Sequence, residues 1–223
     1  MSTVTVPAAR QPTMSPAPKF GAAHSLRRLP VQERSAARVR RMLDAAADLI
    51  EEVGYDRLST TAIAQRADVA IGSVYQFFGD KRSLAEALSQ RYIDLYFERL
   101  TARFDAEPPA EWRDGVEAAV AEYAHLYRTA PGFRVLHLAD AIDPGRADAI
   151  TTGGDVIATQ ILAGLEQRFG LGGDEPLTET VTVAVETGQA LVRLAFRRDP
   201  EGDPAAIAEA HRVVCDYLAR RLS

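Results

Sequence analysis

The stretch that most constrains this chain is Ser59–Lys81, STTAIAQRADVAIGSVYQFFGDK. It reads as two short helices joined by a tight turn. Thr60 and Thr61 supply hydroxyls able to cap the first helix, and Ile63, Ala64 and Ala67 give that helix one small apolar face. The turn falls at Asp68-Val69-Ala70, and Asp is among the residues that tolerate a left-handed backbone. A second helix is expected from Ile71 to Phe78, with Val74 and Phe78 four residues apart on its buried side and Ser73, Tyr75 and Gln76 pointing elsewhere. Small residues on the first helix let the second cross it closely. A helix-turn-helix needs that packing to push one helix into a DNA major groove.

The ordered combination of Thr-x-x-Ile-Ala, an Ala-x-Val turn, Gly-Ser-Val-Tyr, an aromatic pair and a following Lys resembles the DNA-binding domain of the TetR family of bacterial transcription regulators, from about Arg38 to Leu88. Where that family usually has Ala-Gly-Val-Ser, this chain has Ala67-Asp68-Val69-Ala70, and Ala70 removes a hydroxyl cap worth about 0.5–2 kcal/mol from the second helix. The resemblance implies that Thr60 and Thr61 contact phosphate or cap their helix. It places Ile71, Gly72 and Ser73 toward base edges, with Ile71 restricted to apolar reading such as a thymine methyl. Tyr75 matches a phosphate-contacting tyrosine, Gln76 offers the paired donor and acceptor that suits adenine, and Lys81 matches a phosphate-contacting lysine. Phe77 stands where His or Tyr is frequent and has no donor for phosphate; Phe78 reads as core.

Before this unit, Val39, Leu43, Ala46, Ala47, Ile50 and Val53 follow steps of three and four, which predicts a helix over 34–53 closed by Gly54. Its first turns carry Arg34, Arg38, Arg40 and Arg41. Cations there oppose the helix dipole, so an external anion such as DNA phosphate explains them better than helix stability does. The net charge of −5 argues against nucleic acid, yet residues 1–41 hold eight basic residues against one acidic, a net of +7 that leaves −12 for the remainder. A basic end that meets phosphate and an acidic body follow from that asymmetry. Residues 1–33, with Pro7, Pro12, Pro16, Pro18 and Pro30 and no sustained period, read as a disordered basic arm, either reaching along DNA or serving as a solvated tail.

The rest of the chain is a succession of helical patterns, which makes the fold all-α. Domains are expected at 34–82 (helix-turn-helix) and 83–223 (a larger helical effector-binding and dimerisation domain). Leu84, Leu88, Tyr92 and Leu95 carry one helix to about Phe104, and Pro108-Pro109 break it. Helical segments are then expected over 110–129, 133–142, 147–169 with a change of character at Thr151–Gly154, 177–198 and 204–222. The final pair has wide apolar stripes: Val181, Ala184, Val185, Gly188, Leu191, Val192 and Ala195, then Ile207, His211, Val214, Cys215, Leu218 and Leu222. Such stripes fit a homodimer built as a four-helix bundle and equally an intramolecular core; the resemblance favours dimerisation.

No run is apolar and long enough to span a membrane, and the N-terminus lacks a signal-peptide core, so a cytoplasmic location is expected. No Gly-x-Ser-x-Gly, His-Glu-x-x-His or Cys-x-x-Cys occurs, Cys215 is alone, and no enzymatic activity, cofactor or metal is expected. His125 and His137 with Asp140 or Asp143 are the one candidate metal constellation in the sequence, and ordinary half-buried histidines fit better. The segments that surround an effector cavity in the resembled family supply Phe97, Phe104, Trp112, Tyr123, Tyr127 and Phe133, with His137, Thr151, Thr187 and Gln189 as polar candidates. Each of those aromatics also fits plain core. The function implied is a dimeric, palindromic-operator repressor released by a small, largely apolar effector; the alternative is a helical binding protein or enzyme with a degenerate DNA-binding head.

Overall fold

In the computed structural model the described residues are 33–138, 144–170 and 175–221, with the backbone alone described at 33–34, 138, 144–155 and 175–176. Helices account for their regular structure, and no strand occurs among them. The order is α1 (Glu33–Val53), α2 (Thr60–Arg66), α3 (Ile71–Phe77), α4 (Lys81–Ala106), α5 (Trp112–Thr129), α6 (Phe133–Leu138), α7 (Pro144–Phe169), α8 (Glu175–Arg198) and α9 (Pro204–Ala219). The segments expected at 1–32 and 139–142 lie outside the described residues.

Local chemistry accounts for the boundaries. Gly54 stops α1 at φ +81°, a left-handed conformation that Gly adopts without steric cost. The cap of α2 corrects the expectation placed on Thr60 and Thr61: Ser59 is the N-cap, its Oγ accepting from Ala62 N at 3.2 Å. Asp68 takes the left-handed turn at φ +52°, the one non-glycine residue to do so among those described. Ala70 leaves α3 without a side-chain cap, while Phe78 closes it through a 2.8 Å bond from its N–H to Val74 O. A reciprocal capping box of Asp80 and Ser83 opens α4. Asp114 Oδ2 accepts from the N–H groups of Ala110 and Glu111, so α5 starts at Trp112 and not at 110. Thr151–Gly154 is continuous helix within α7.

One contiguous apolar core runs from Val39 of α1 through α4 and α5 to Ala210 of α9. The expected division at 82/83 falls in the first turn of α4, which therefore belongs to head and body alike. On that helix Tyr96 is buried while Leu95, expected on the apolar stripe, is 36% exposed. The pair α8 and α9 closes the body. A Cβ on Gly188 would lie 3.3 Å from Val214 Cγ2, so small residues set how near the two helices approach.

Candidate nucleic-acid interface and helical-body site

The head holds its helices by contacts that leave the outer face of α3 uncovered. Val74 and Phe77 on one side of α3, with Phe78 just beyond, are buried in the core that α3 shares with α1, α2 and α4. Ile71 is 42% and Tyr75 48% exposed, Gly72 and Gln76 are exposed, and Ser73 is half-buried. Phe77 thus sits in the core, which explains why an aromatic without a polar tip is accommodated there. Thr60 Oγ1 and the Tyr75 hydroxyl lie 3.1 Å apart, which joins the start of α2 to the exposed flank of α3. Thr61 is exposed beside them and Arg38 is half-buried on α1. Arg66 fixes α2 to α1 by a two-pronged pair with Glu52 at 2.9 and 2.7 Å, holding that carboxyl below its ordinary range. Lys81 Nζ donates to Tyr55 O at 3.1 Å and Asp56 O at 3.3 Å and lies 4.4 Å from the Tyr55 ring centroid, so it binds the α1–α2 connection to the start of α4. An ammonium has three N–H donors, and two are committed.

In the body, Tyr123, Tyr127, Phe133 and His137 of the expected pocket set converge. Phe133 packs edge-on against Tyr123 at 5.7 Å and Tyr127 at 5.0 Å and stacks on His137 at 3.9 Å between ring centroids. Phe97 joins through Tyr96, at 4.9 Å. Such ring pairs contribute roughly 0.5–1.5 kcal/mol each beyond burial, so the cluster is firm core. Burial pushes the Tyr123 phenol well up and that of Tyr127 up to about 12, and the charge of Arg193 on α8 opposes both shifts. Gln189 stands one turn before Arg193, and Thr187 is half-buried on the same helix. Phe104 and Trp112 are set apart from this cluster: Phe104 lies under Arg168, and Trp112 packs against the α7–α8 and α8–α9 contacts. The Thr151 side chain, Asp140 and Asp143 lie outside the described residues.

Comparison with known proteins decides what kind of molecule this is. Residues 42–88 match the family described as bacterial regulatory proteins, tetR family, and residues 110–222 match the tetracyclin repressor-like C-terminal domain. The chain belongs to the TetR family. A TetR-family regulator of Streptomyces coelicolor is 44% identical over 82% of this chain and 98% of that one, with a TM-score of 0.71. The repressor KstR of Mycolicibacterium smegmatis is 36% identical over 33% of this chain, a match that spans about a third (34%) of that relative's length. The class A tetracycline repressor of transposon 1721 in Escherichia coli is 28% identical over 81% of this chain and 89% of its own length. TetR-family regulators bind operator DNA and small-molecule effectors as dimers, and no helix among the described residues is long and apolar enough to cross a membrane.

Several residues that organise these two sites of the TetR-family chain escape a reading of the sequence. Tyr92 and Phe196 belong to the aromatic cluster: Tyr92 packs edge-on to Phe133 at 5.1 Å, and Phe196 stacks on Tyr127 at 4.6 Å. Glu122 is a buried carboxylate that accepts from Arg99 Nε at 2.9 Å and Arg103 Nη1 at 3.5 Å, pairing α5 with α4. In sequence it is one more acidic residue inside a helical pattern. Only the spacing Arg99-x-x-x-Arg103 marks α4 as facing an anion.

Proposed function

We propose that this chain is a ligand-responsive transcription regulator, a repressor that binds a palindromic operator as a homodimer and releases it when a largely apolar effector enters the helical body. The observation that carries the reading is α3: Val74 and Phe77 are buried while Ile71, Tyr75 and Gln76 stand outward, which gives a docked helix with a free reading face. In this scheme Ile71, Gly72, Ser73 and Gln76 meet base edges, and Arg38, Thr60, Thr61, Tyr75 and the third donor of Lys81 meet phosphate. The basic stretch 1–33 adds sequence-independent affinity, residues 34–82 form the head, and residues 83–223 bind effector and dimerise through α8 and α9. Tyr123, Tyr127, Phe133 and His137 line the effector's apolar part. The effector acts through its different affinity for the two head arrangements, typically 1–3 kcal/mol of coupling.

Selection of bound fragments from the source genome, followed by titration of the recovered operator, tests this. Gln76→Ala is expected to cost about 1–3 kcal/mol and relax the sequence preference, whereas Tyr75→Phe weakens all sequences alike. Absence of any salt-dependent, competitor-resistant binding by the full chain refutes the regulator reading.

A further inference from the structure

The aromatic cluster of the body carries polar groups along the edge where α5 meets α8. Tyr123 and Tyr127 stand one turn apart on α5, buried, and meet edge-on at 5.6 Å between ring centroids. Phe196 of α8 stacks on Tyr127 at 4.6 Å with an interplanar angle of 13°, which sets the register of α8 against α5. Gln189 lies two turns before Phe196 and so shares its face, and Arg193, three residues before Phe196, stands beside that face. Both side chains are half-buried. Burial raises the two phenols, their interaction raises Tyr123 and lowers Tyr127, and the charge of Arg193 lowers both, as a guanidinium near the two hydroxyls does. At neutral pH both phenols therefore keep their protons and serve as donors. Arg197, whose charge also reaches Tyr127, is exposed to solvent.

From this arrangement we infer that the effector is an apolar carboxylate, an aliphatic or aryl acid whose tail lies against Tyr123, Tyr127 and Phe133 and whose carboxylate is bound by Arg193, with the Tyr127 hydroxyl and the Gln189 amide beside it. The assignment rests on the regulator reading above and narrows its effector from largely apolar to amphipathic and anionic. A guanidinium has five N–H donors in a planar fork and a carboxylate takes two of them, so Arg193 can serve a partner within the chain and a ligand together. A half-buried cation beside aromatic rings is screened by water less than an exposed one, and its attraction for an anion is stronger for it. The neutral phenols add hydrogen bonds to that anion and bring no charge of their own. One half-buried guanidinium balances one negative charge, which suits a carboxylate better than a phosphate dianion. An amine on the same tail meets like charge.

Calorimetric titration of the full chain at pH 7, without DNA, compares ligands matched in tail: decanoate, decanol and decylamine, then benzoate, benzyl alcohol and benzylamine. In at least one series the acid is expected to bind about tenfold or more tighter than its alcohol, with the amine weakest. Arg193→Met is expected to bring the acid and alcohol of that series to equal affinity, and Arg193→Lys to restore part of the difference. Should Arg193→Met lose its helical signal in circular dichroism, Tyr127→Phe takes its place and is expected to reduce the preference about fivefold. Equal affinity of acid and alcohol for the unsubstituted chain, a preference untouched by the substitution, or no binding by either acid overturns the assignment. Operator titration is a separate arm. Acids that bind a chain without DNA affinity keep this site and remove the regulator reading, whereas an operator released by the alcohols alone keeps that reading and removes the carboxylate.

Discussion

Gly72 occupies the second position of α3, where glycine is a poor helix former, yet nothing within the chain demands it. A Cβ built there meets no atom within 4 Å, and its φ lies outside the left-handed region. The residue that lacks an internal reason stands on the face turned outward, so the space above its Cα is best explained by another molecule's approach. Gly72→Ala is expected to raise stability, by roughly 0.5–1 kcal/mol as for Gly-to-Ala changes in helices, while weakening operator binding. Thermal unfolding and a DNA titration on one preparation check both signs; unchanged affinity means the glycine is incidental. Lys81 presents the opposite case, a residue with internal work already assigned. Its bonds to Tyr55 O and Asp56 O join three elements of the head. Lys81→Ala is therefore expected to lower stability by about 1–2 kcal/mol. If its third donor reaches phosphate, the slope of log affinity against log salt also falls by about one.

At the scale of the element, α4 matters most because it serves both halves, and its start depends on Asp80. The Asp80 carboxylate accepts from Ser83 N at 2.7 Å, and that backbone hydrogen bond, opposed by partial burial, holds its pKa below the ordinary 3.8. A carboxyl depressed in the folded state contributes stability that is fully present above the unfolded value and lost as pH falls through the folded one. Wild type is accordingly expected to lose stability from about pH 4 downward with a contribution that Asp80→Asn, still able to cap, does not show. Chemical denaturation at pH 3 and pH 6 measures it, and parallel losses in the two proteins refute the assignment. Elements of this kind are legible in sequence because their signals are local: Gly54 after an apolar period, the Asp68 turn, and prolines between segments. The Ser59 cap obeys the same rule, one residue before Thr60 and Thr61. What the sequence conceals is contact between distant segments. Phe77 and Phe78 are adjacent and similar, and that both are buried follows from Phe78 leaving the helix as its C-cap, which the sequence does not mark. Gly132 reads as a loop glycine, and its seat on Ala47 O, more than eighty residues earlier in the chain, has no sequence mark at all.

For the whole molecule the open surface of α8 carries the remaining argument. One face of that helix, with Val181, Ala184, Val192, Ala195 and Phe196, is spent inside the chain. Val183, Thr187, Ala190 and Leu194 follow at steps of four, three and four along a different face, with Val183 36% exposed and Ala190 exposed. The stripe read in the sequence, Val181 to Ala195, is thus the inward face, and this second face lies beside it. A two-fold contact presents the same patch from both subunits, so every substitution acts twice. A charge placed in such a patch at roughly 2 kcal/mol per site raises the dissociation constant about a thousandfold. Val183→Asp is expected to convert a micromolar dimer into monomer in sedimentation velocity while keeping its helical content, because the side chain contributes little to the internal core. Operator affinity then falls as well, since a palindrome read by one head loses half of its contacts. If Val183→Asp remains dimeric, the contact between subunits uses another face, and the loss of DNA binding disappears with it.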